Sequence, residues 1–454
     1  MPNKFETKTR DLRKYFRMPN PGLRSYLGVV EEGQPDEYRT PFYKGESVQE
    51  VLAHWDTQLN TIQEEWPTLY QFEVDLGEKV GPMSIMKPLA ERMDDIAAYY
   101  ESISMDSIPI SNDAIELVVT EWAQVAGLRL RSRIRVVDLM KKSTNSGAPY
   151  FTKRKLVVNQ TLSAKPIGQA QMEYLDGIYD NAAVIGWRGQ EGGPRADDVK
   201  QRVVWMFPFG VNMWEMQVYQ PLIETSQKFG LVPAWISMDK VDQTVTNMFD
   251  TKGEDDLVIC TDFTKFDQHF NADCQSAAAS ILTKLFTDTE DSRYWLQTIF
   301  PIKYNIPLVI GWDRVVEGNH GMASGSGGTN ADETLVHRAL QYEAATKDGS
   351  TLNPYSQCLG DDGVVTYPGC TVDSVVQTYS SHGLEMNPSK QYVSKQDCTY
   401  LRRWYHMDYR FDGVCRGVYS TNRALGRLLE QERFYDPKTW SKEMVALRQL
   451  SIIE

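Results

Sequence analysis

Apolar residues recur every three to four positions over much of the chain, which is the spacing that buries one face of an α-helix. Ser47 and Glu50 make a capping box, so the first amphipathic helix is predicted to begin there. Further helices are predicted near 84–101, 113–126, 163–182, 211–230, 273–287 and 371–381, and from residues 421 and 436 onward. Residues 1–46 hold many Pro and Gly with little periodicity, which indicates an extended arm.

Four shorter stretches predict β-strands. Residues 257–262 form an apolar run that ends in an acid, and residues 200–208 and 400–405 have the composition of strands. In residues 357–365, two short apolar runs flank a Gly-Asp-Asp sequence, which predicts a β-hairpin with Asp361 and Asp362 at its tip. A solvated turn is the ordinary explanation, since Asp-Gly is a common hairpin turn. The two acids point to chemistry only if a third carboxylate lies beside them.

The composition is that of a folded protein. The 454 residues provide for a large core, and a chain of this size usually forms about two to four structural units. No apolar run approaches about 18 residues and the start of the sequence lacks the apolar core of a signal peptide, so we expect a soluble intracellular protein without a membrane partner. The cysteines lack the spacing of metal ligands and are expected to be reduced thiols.

Charge is unevenly distributed along the sequence. The net charge of -13 argues against general attraction to nucleic acid. One stretch is nevertheless basic and holds a single acid, Asp138; its cations are Arg129, Arg131, Arg133, Arg135, Lys141, Lys142, Lys153, Arg154 and Lys155. A basic groove and an exposed basic helix face both fit this stretch. Lys200 and Arg202 are two residues apart in a predicted strand, so both project from one face, which suits binding of a polyphosphate.

A glycine-rich loop, residues 320–330, precedes another predicted helix. No Gly-Lys-Ser/Thr sequence follows it, so it is not a phosphate-binding P-loop, and it lacks the dinucleotide fingerprint. Its small residues would allow the backbone to approach a ligand or another chain closely. A plain loop with Thr329 as the N-cap of the helix is the alternative.

The order of these elements predicts a catalytic sheet edge. A strand ending in Asp262 and a hairpin tipped by Asp361 and Asp362 would bring three carboxylates together. Converging like charges repel, so such a cluster requires cations, and Mg2+ or Mn2+ suits its oxygen ligands best. Two ions about 3.5–4 Å apart would activate a 3′-hydroxyl and stabilise the leaving oxygen in nucleotidyl transfer. Taken singly, Asp262 is more simply a structural acid that caps the next turn.

The motifs resemble those of viral RNA-dependent RNA polymerases. Motifs A, B and C of that family resemble, in order, Asp262-x4-Asp267, Ser324-Gly325-x3-Thr329 and Gly360-Asp361-Asp362. The other motifs also have counterparts, spanning residues 144–403: Thr144, Gly147 and Pro149 for motif G, Arg188, Lys200 and Arg202 for motif F, residues 383–390 for motif D and residues 400–403 for motif E. The glycine-rich motif B, the helical first part and the arm are most similar to picobirnavirus polymerases, with partitivirus polymerases as the alternative.

The resemblance implies a role for each matching residue. Asp262 and Asp361 would ligate two metal ions with help from Asp362. Lys390 would protonate the departing pyrophosphate. The residues that would contact the incoming nucleotide are Arg188, Lys200, Arg202, Asp267, Ser324, Thr329 and Asn330, with Asp267 recognising the ribose 2′-hydroxyl. Those that would contact template or primer are Thr144, Gly147, Pro149, Gly325, Arg402 and Arg403.

Two positions depart from the family pattern. The spacing from Pro388 to Lys390 is one residue shorter than in picornavirus-type polymerases, which puts the acid role of Lys390 in doubt. Many relatives place Asn four residues after the motif B threonine, where this chain has Glu333, so Asn330 is the candidate to act toward Asp267. The aromatic residue with which reverse transcriptases exclude ribose has no obvious counterpart; Asp267 offers a hydrogen-bond acceptor for the 2′-hydroxyl.

The fold that the resemblance implies is an α+β, cupped right-hand polymerase with fingers, a palm built on an antiparallel sheet, and a thumb. The expected divisions are 1–46, an arm bridging fingers and thumb; 47–214, fingers; 215–398, palm with a fingers insertion near 288–318; and 399–454, a thumb short enough to be truncated.

The expected activity is template-directed 5′ to 3′ RNA synthesis with Mg2+ or Mn2+ as two-ion cofactor, in replication and transcription for a double-stranded RNA virus. Expected partners are RNA template, nascent RNA, NTPs and capsid protein, in the virion interior and the host cytoplasm. The alternatives are a reverse transcriptase, a catalytically silent relative that binds RNA or a capsid, and a helical scaffold whose acids lie in surface turns.

Overall fold

The computed structural model describes residues 6–163, 165–167, 171–174 and 177–453. Its α-helices are α1 (Pro21–Glu32), α2 (Val48–Leu59), α3 (Pro67–Gly77), α4 (Met93–Glu101), α5 (Asn112–Glu121), α6 (Arg133–Leu139), α7 (Val158–Ser163), α8 (Phe209–Phe229), α9 (Met238–Thr251), α10 (Phe266–His269), α11 (Ala272–Leu285), α12 (Glu290–Tyr294), α13 (Thr329–Lys347), α14 (Val372–Ser380), α15 (Thr421–Leu429) and α16 (Lys442–Ile453).

The strands are β1 (Glu6–Thr9), β2 (Lys165–Ile167), β3 (Gln171–Tyr174), β4 (Gly177–Asp180), β5 (Ala183–Gln190), β6 (Lys200–Met206), β7 (Val258–Thr261), β8 (Leu308–Gly311), β9 (Arg314–Glu317), β10 (Gln357–Leu359), β11 (Asp362–Val365), β12 (Tyr392–Ser394), β13 (Asp397–Tyr400), β14 (Arg403–His406), β15 (Arg410–Phe411), β16 (Val414–Cys415) and β17 (Val418–Tyr419). The structure thus combines helices with mainly antiparallel strand pairs, which is typical of an α+β fold.

The chain divides into two compact units. The first consists of Met1–Gly28, Asp94–Gly186 and Val204–Cys398, and the second of Val29–Met93, Trp187–Val203 and Thr399–Glu454. Each unit is assembled from three separate stretches of sequence, so neither is a continuous piece of chain.

A four-stranded antiparallel sheet with the order β10-β11-β7-β12 organises the first unit. Every residue of β7 is buried, as the apolar sequence of that strand predicts. Helix α13 packs against β10 and against α5, α11 and α14. Because this helix is buried on nearly all sides, its polar side chains must find partners inside the protein.

A second sheet has the order β1-β9-β8-β5-β6, and its strands β1, β9 and β8 belong entirely to the first unit. Strand β1 is antiparallel to β9, with Glu6 opposite Glu317 and Thr9 opposite Arg314. Lys8 and Arg10 reinforce this pairing through ion pairs of 3.2 and 2.9 Å with Glu317. The cluster of apolar side chains beside the sheet includes Leu12, Tyr15, Leu23, Leu27, Val309 and Val315.

In the second unit, α15 packs against α2 and α3. Their shared core includes Val48, Leu52, Val80 and Leu429. The predicted capping box at Ser47 and Glu50 is present at the start of α2, so this prediction is confirmed.

The helix predicted over 163–182 is wrong. The described residues of that stretch form β2, β3 and β4, and residues 164, 168–170, 175 and 176 lie outside the described part. Pro166 removes a backbone donor that a helix interior needs, and Gly177 has a φ of 144° that no helix adopts.

Two other elements differ from the prediction. The arm over 1–46 is not wholly extended, since it contains α1, whose Leu23, Leu27 and Val30 are buried at helical spacing. The strand predicted over 400–405 is interrupted, since Leu401 and Arg402 have φ values of 51° and 64° and form a two-residue turn between β13 and β14.

Three helix boundaries also differ from their predicted positions. The helix predicted from residue 84 begins only at Met93, after a short 3-10 turn. Gly328, not Thr329, is the N-cap of α13. The last helix begins at Lys442 rather than near 436, and its Met444 and Leu447 are exposed.

The six cysteines are buried thiols without disulfides, as predicted. Burial raises the pKa of Cys274 and of Cys358 to about 12, so neither is a reactive thiolate. Across the described residues, no helix combines the length and the apolar character needed to cross a membrane.

Candidate active site

The exposed end of the β10-β11-β7-β12 sheet carries the three predicted carboxylates. Strand β11 is antiparallel to β7, with Gly363 opposite Thr261 and Val364 opposite Cys260. Continuing this register by one residue places Asp362 opposite Asp262. Asp361 occupies the turn just before β11, and its side chain, like that of Asp262, is exposed. Strand pairing therefore brings the backbones of all three acids to one sheet end.

Gln391, which the sequence did not single out, fixes the backbone of Asp262. Its side-chain oxygen accepts from the Asp262 N–H at 2.8 Å, and its Nε2 donates to the Asp262 carbonyl at 2.9 Å. The same Nε2 donates to the Asn387 carbonyl, also at 2.9 Å. One buried amide thus bonds both the N–H and the carbonyl of Asp262 just beyond the end of β7.

The glycine loop 320–330 is anchored on α8. Asn212 donates to the Gly325 carbonyl at 3.1 Å, and Glu215 accepts from the Gly327 N–H at 3.1 Å and from the Ser326 hydroxyl. A Cβ at Gly325 would lie 1.5 Å from the Trp205 carbonyl oxygen, so this position requires glycine. Burial raises the pKa of the Glu215 carboxyl. Side chains of α8 therefore hold the loop by its backbone and by the Ser326 hydroxyl.

A buried ion pair anchors the first turn of α13. Lys303 Nζ lies 3.1 Å from Asp332 Oδ2, and both side chains are completely buried. The hydroxyls of Tyr219 and Tyr304 donate to Asp332 at 2.7 and 2.8 Å. Because the carboxylate is fully hydrogen-bonded, the buried pair is compensated, and the helix start beside the glycine loop is fixed.

Asp267 and Ser324 lie on facing segments. The Met322 N–H donates to the Asp267 carbonyl at 2.7 Å, which joins α10 to the glycine loop. The Ser324 hydroxyl is shielded from solvent and has no hydrogen-bond partner among the residues that the structure describes. A shielded hydroxyl without a partner in the protein suits contact with a bound ligand.

Asn330 and Glu333 both approach the Gly360 turn. A Cβ built on Gly360 would lie 3.5 Å from Asn330 Nδ2 and 3.4 Å from Glu333 Oε2. The Trp235 indole donates to Asn330 Oδ1 at 2.7 Å, which leaves the Asn330 amino group facing the turn. Asn330 is exposed whereas Glu333 is buried, so of the two only Asn330 is open to a ligand from solvent.

Lys390 ends a short 3-10 turn, Pro388–Lys390, and its side chain is exposed. Asn387 caps this turn by accepting from the Ser389 N–H at 3.0 Å. Strand β12 follows and pairs with β7, placing Tyr392 opposite Cys260. Lys390 therefore lies two residues before β12, and β12 pairs with β7, the strand that leads to Asp262.

The residues matched to motif G form a tight loop. Gly147 has a φ of 61°, and a Cβ there would lie 2.5 Å from the Phe207 carbonyl oxygen. The Arg17 N–H donates to the Pro149 carbonyl at 3.0 Å, so the arm contacts this loop. Thr144 is exposed, and its carbonyl accepts from the Arg154 N–H at 2.9 Å.

The remaining predicted cations belong to the second unit. Lys200 and Arg202 are both exposed on β6, as their spacing predicts. Arg188 is exposed near the end of β5, with its guanidinium 3.8 Å from Glu432. Arg402 lies in the turn before β14; burial, followed by the charges of neighbouring arginines, lowers its pKa.

The first unit thus contains Asp262, Asp267, the glycine loop, the Gly360 turn, Lys390 and the motif G loop, whereas Arg188, Lys200, Arg202, Arg402 and Arg403 lie in the second. In the described part of the chain, no three acidic, histidine or cysteine side chains already converge on one metal position. Gln391 and Glu215 are buried polar residues that hold these loops. They could not be predicted from the sequence, because nothing in their spacing marks them.

This arrangement defines a class of enzyme. A family model described as viral RNA-dependent RNA polymerase matches residues 33–421. The chain therefore belongs to the viral RNA-dependent RNA polymerases and is an RNA-directed RNA polymerase.

The chain is similar to picobirnavirus proteins in particular. A human picobirnavirus protein called a potential RNA-dependent RNA polymerase is 60% identical over 451 residues, which cover 97% of this chain and 83% of that protein. The crystal structure of a human picobirnavirus RNA-dependent RNA polymerase matches with a TM-score of 0.95 and 60% identity, over 97% of this chain and 85% of that one. Its insertion loop deletion mutant also matches at 0.95 and 60%, over 97% and 88%. The predicted family, its picobirnavirus branch and the polymerase fold are confirmed.

Proposed function

We propose that the protein synthesises RNA by two-metal nucleotidyl transfer at the exposed end of the β10-β11-β7-β12 sheet. Asp262 and Asp361 are the metal ligands, and Asp362 assists. The strand register that aligns Asp262 with Asp362 is the observation that carries this proposal. When bound, two divalent cations activate the attacking 3′-hydroxyl and stabilise the leaving oxygen.

The donor set fits Mg2+ or Mn2+. The candidate ligands are carboxylates, the oxygen donors that hard divalent cations prefer. Asp262 and Asp361 are exposed at the sheet end, so hydrated cations can reach them. Like charges repel without a cation between them, so we expect the side chains to rotate together only when a cation binds.

The groups around this sheet end suit a ribonucleoside triphosphate. Asp267 accepts from the ribose 2′-hydroxyl, and the amino group of Asn330, oriented by Trp235, helps to recognise the sugar. Ser324 and Thr329 line the nucleotide position, and Lys390 protonates pyrophosphate. The cations that neutralise the triphosphate are Arg188, Lys200 and Arg202.

The RNA template and the RNA product contact the remaining motif residues. Thr144, Gly147, Pro149 and Gly325 guide the template, and Arg402 and Arg403 contact the growing strand. The fold is then a right hand, with the arm at 1–46, fingers at 47–214, palm at 215–398 with the insertion near 288–318, and thumb from 399. The last stretch of the second unit begins at Thr399, where this thumb starts.

The picobirnavirus relatives support a role in genome replication and transcription of a double-stranded RNA virus. On this proposal the enzyme works in the virion interior and the host cytoplasm and contacts capsid protein. The acidic net charge of -13 confines RNA binding to local basic surfaces.

Asp361→Asn tests the proposed metal site. Loss of one shared ligand charge removes several kcal/mol of transition-state stabilisation, so NTP incorporation on an RNA template should fall about 1,000-fold. The matched control is Asp412→Asn, since Asp412 also lies in a hairpin turn, between β15 and β16, and belongs to the second unit. Unaltered incorporation by a folded Asp361→Asn protein would show that the metal site is assigned wrongly.

A further inference from the structure

Two side chains of α13 hold the turn that presents Asp361. Thr334 and His337 are three residues apart and therefore lie on one face of the helix, and both are buried. The Gly360 N–H donates to Thr334 Oγ1 at 2.9 Å, and the Gly360 carbonyl lies 2.8 Å from His337 Nδ1. Both backbone polar groups of Gly360 are thus bonded to the helix and not to a neighbouring strand.

This contact fixes the direction in which the chain reaches Asp361. Gly360 has a φ of 60°, and its carbonyl belongs to the peptide plane that also contains the Asp361 N–H. Because a carbonyl only accepts, Nδ1 of His337 carries the proton. The orientation of that plane, and hence the position of the Asp361 Cα, is set by the imidazole.

The same imidazole reaches the strand that leads to Asp262. His337 Nε2 lies 3.4 Å from the hydroxyl of Thr261, the residue before Asp262. A Cβ at Gly363 would lie 2.5 Å from His337 Cε1, so the ring rests against the bare backbone of β11. His337 therefore touches residues next to both proposed metal ligands.

The surroundings of His337 leave it little freedom. The rings of Phe263 and Tyr379 have centroids 5.2 and 5.8 Å from the imidazole. Burial lowers the pKa of His337 to about 4, so at neutral pH the ring is uncharged. With the proton on Nδ1, Nε2 is an acceptor facing the Thr261 hydroxyl at 3.4 Å, and that hydroxyl also lies 3.3 Å from the Gly363 carbonyl oxygen of β11. A packed, neutral ring with one donor and one acceptor is suited to holding two backbones at a fixed separation.

We propose that Thr334 and His337 are positioning residues that set the separation of the Asp262 and Asp361 carboxylates and thereby the metal affinity of the polymerase. This inference rests on the proposed function, because it presumes that those two carboxylates bind the cations. Both side chains are buried and act through the backbone beside the acids: Thr334 acts through Gly360, and His337 acts through Gly360 and Thr261.

The test uses isosteric pairs. Thr334→Val removes the acceptor for the Gly360 N–H, whereas Thr334→Ser keeps it. His337→Phe removes both ring nitrogens, whereas His337→Asn keeps a donor near the position of Nδ1. Mn2+ binding is measured directly from the loss of the free-ion signal in electron paramagnetic resonance, and NTP incorporation is titrated with Mg2+.

Substitutions that disturb the environment of a metal ligand typically weaken metal binding by about 10- to 100-fold. We expect weakening of that order, at least about 10-fold in Mn2+ Kd, for Thr334→Val and His337→Phe. Thr334→Ser and His337→Asn should stay within about threefold of the parent. At saturating Mg2+, the KM for NTP should change little while kcat falls, since only the cation position is disturbed.

Thr366→Val is the control for a general loss of stability. Thr366 is fully buried, and its hydroxyl donates to the Leu257 carbonyl at 2.7 Å, at the opposite end of β7. We expect it to lower the melting temperature and to leave the Mn2+ Kd unchanged. An equal rise in Kd for Thr366→Val would overturn the inference.

Asp361→Asn separates the two proposals. If it leaves Mn2+ binding intact, the proposed metal site is wrong. If it abolishes binding while folded Thr334→Val binds Mn2+ like the parent, the positioning inference alone is wrong. The Thr334 pair decides the question even if His337→Phe does not fold.

Discussion

At the scale of single residues, the chemistry depends on backbone groups held by side chains from elsewhere in the sequence. Asp262 is held by Gln391, and the glycine loop is held by Glu215. In each case a buried polar side chain bonds to a main chain that has left its strand or helix. Leaving such a main-chain group without its partner typically costs about 1–3 kcal/mol, which is why these contacts matter.

Gln391→Met provides a test at this scale. The substitution keeps the side-chain length and removes both bonds to Asp262, so we expect about a 10-fold loss of polymerase rate with about 1–3 kcal/mol of destabilisation. Gln341→Met is the matched control, since Gln341 also donates a buried amide to the sheet, 3.0 Å from the Gln357 carbonyl. Equal loss of rate in both variants at a temperature where both are folded would contradict a specific role for Gln391.

The residues of the site itself were accessible from sequence, whereas their supports were not. Asp262 and Asp361 follow apolar runs and lie in family motifs, so their type and position were predicted. Glutamine and glutamate are common on surfaces, and the backbone groups that they hold at Asp262 and Gly327 are more than a hundred residues away. No local pattern records such a contact.

At the scale of elements, the predictions are confirmed where apolar periodicity and a Gly or Pro at the end of the element indicate the same boundaries. Helix α8 and the β10–β11 hairpin were recovered from apolar spacing bounded by Gly or Pro. The helix over 163–182 failed because apolar spacing outweighed the Pro166 signal. The turn at Leu401 and Arg402 contains neither Gly nor Pro, so no sequence signal marked it.

Helix α15 depends on a cap supplied by another helix. The Glu73 carboxylate of α3 accepts from the Thr421 N–H at 2.6 Å, from the Asn422 N–H at 3.1 Å and from the Ser420 hydroxyl at 2.9 Å. A negative charge at a helix N-terminus is favourable, and these bonds satisfy donors that the helix cannot.

Glu73→Gln should therefore destabilise the second unit by about 1–3 kcal/mol, because the amide has one acceptor oxygen and no charge. Urea denaturation monitored by circular dichroism measures the change. Glu78→Gln, an exposed site at the end of the same helix, should have little effect. A shift for Glu73→Gln as small as that of Glu78→Gln would show that the cap contributes little.

At the scale of the whole molecule, stability should depend on pH through buried histidines. Burial lowers the pKa of His320 and of His337 to about 4, below the value of about 6.5 for an unfolded histidine. Between these pH values the unfolded chain binds protons that the folded protein does not, so stability falls as the pH drops from about 6.5 to about 4.

The expected slope is up to about 1.4 kcal/mol per pH unit for each ring. His320→Gln should reduce the slope of stability against pH by the contribution of one ring. The slope is measured from the urea midpoint at several pH values. Above pH 7 the difference between variant and parent should no longer change with pH. An identical slope for His320→Gln and parent below pH 6 would contradict the assignment.

The pairing of β1 with β9 has a consequence for how the protein is made. Strand β1 leaves the ribosome well before its partner strand β9, because Glu317 follows Glu6 by roughly 300 residues. At about 5–20 residues per second, the strand waits roughly 15–60 s for its place in the sheet. This sheet is thus completed long after β1 is made, and the arm that packs beside it can be held in place only once β9 has been translated.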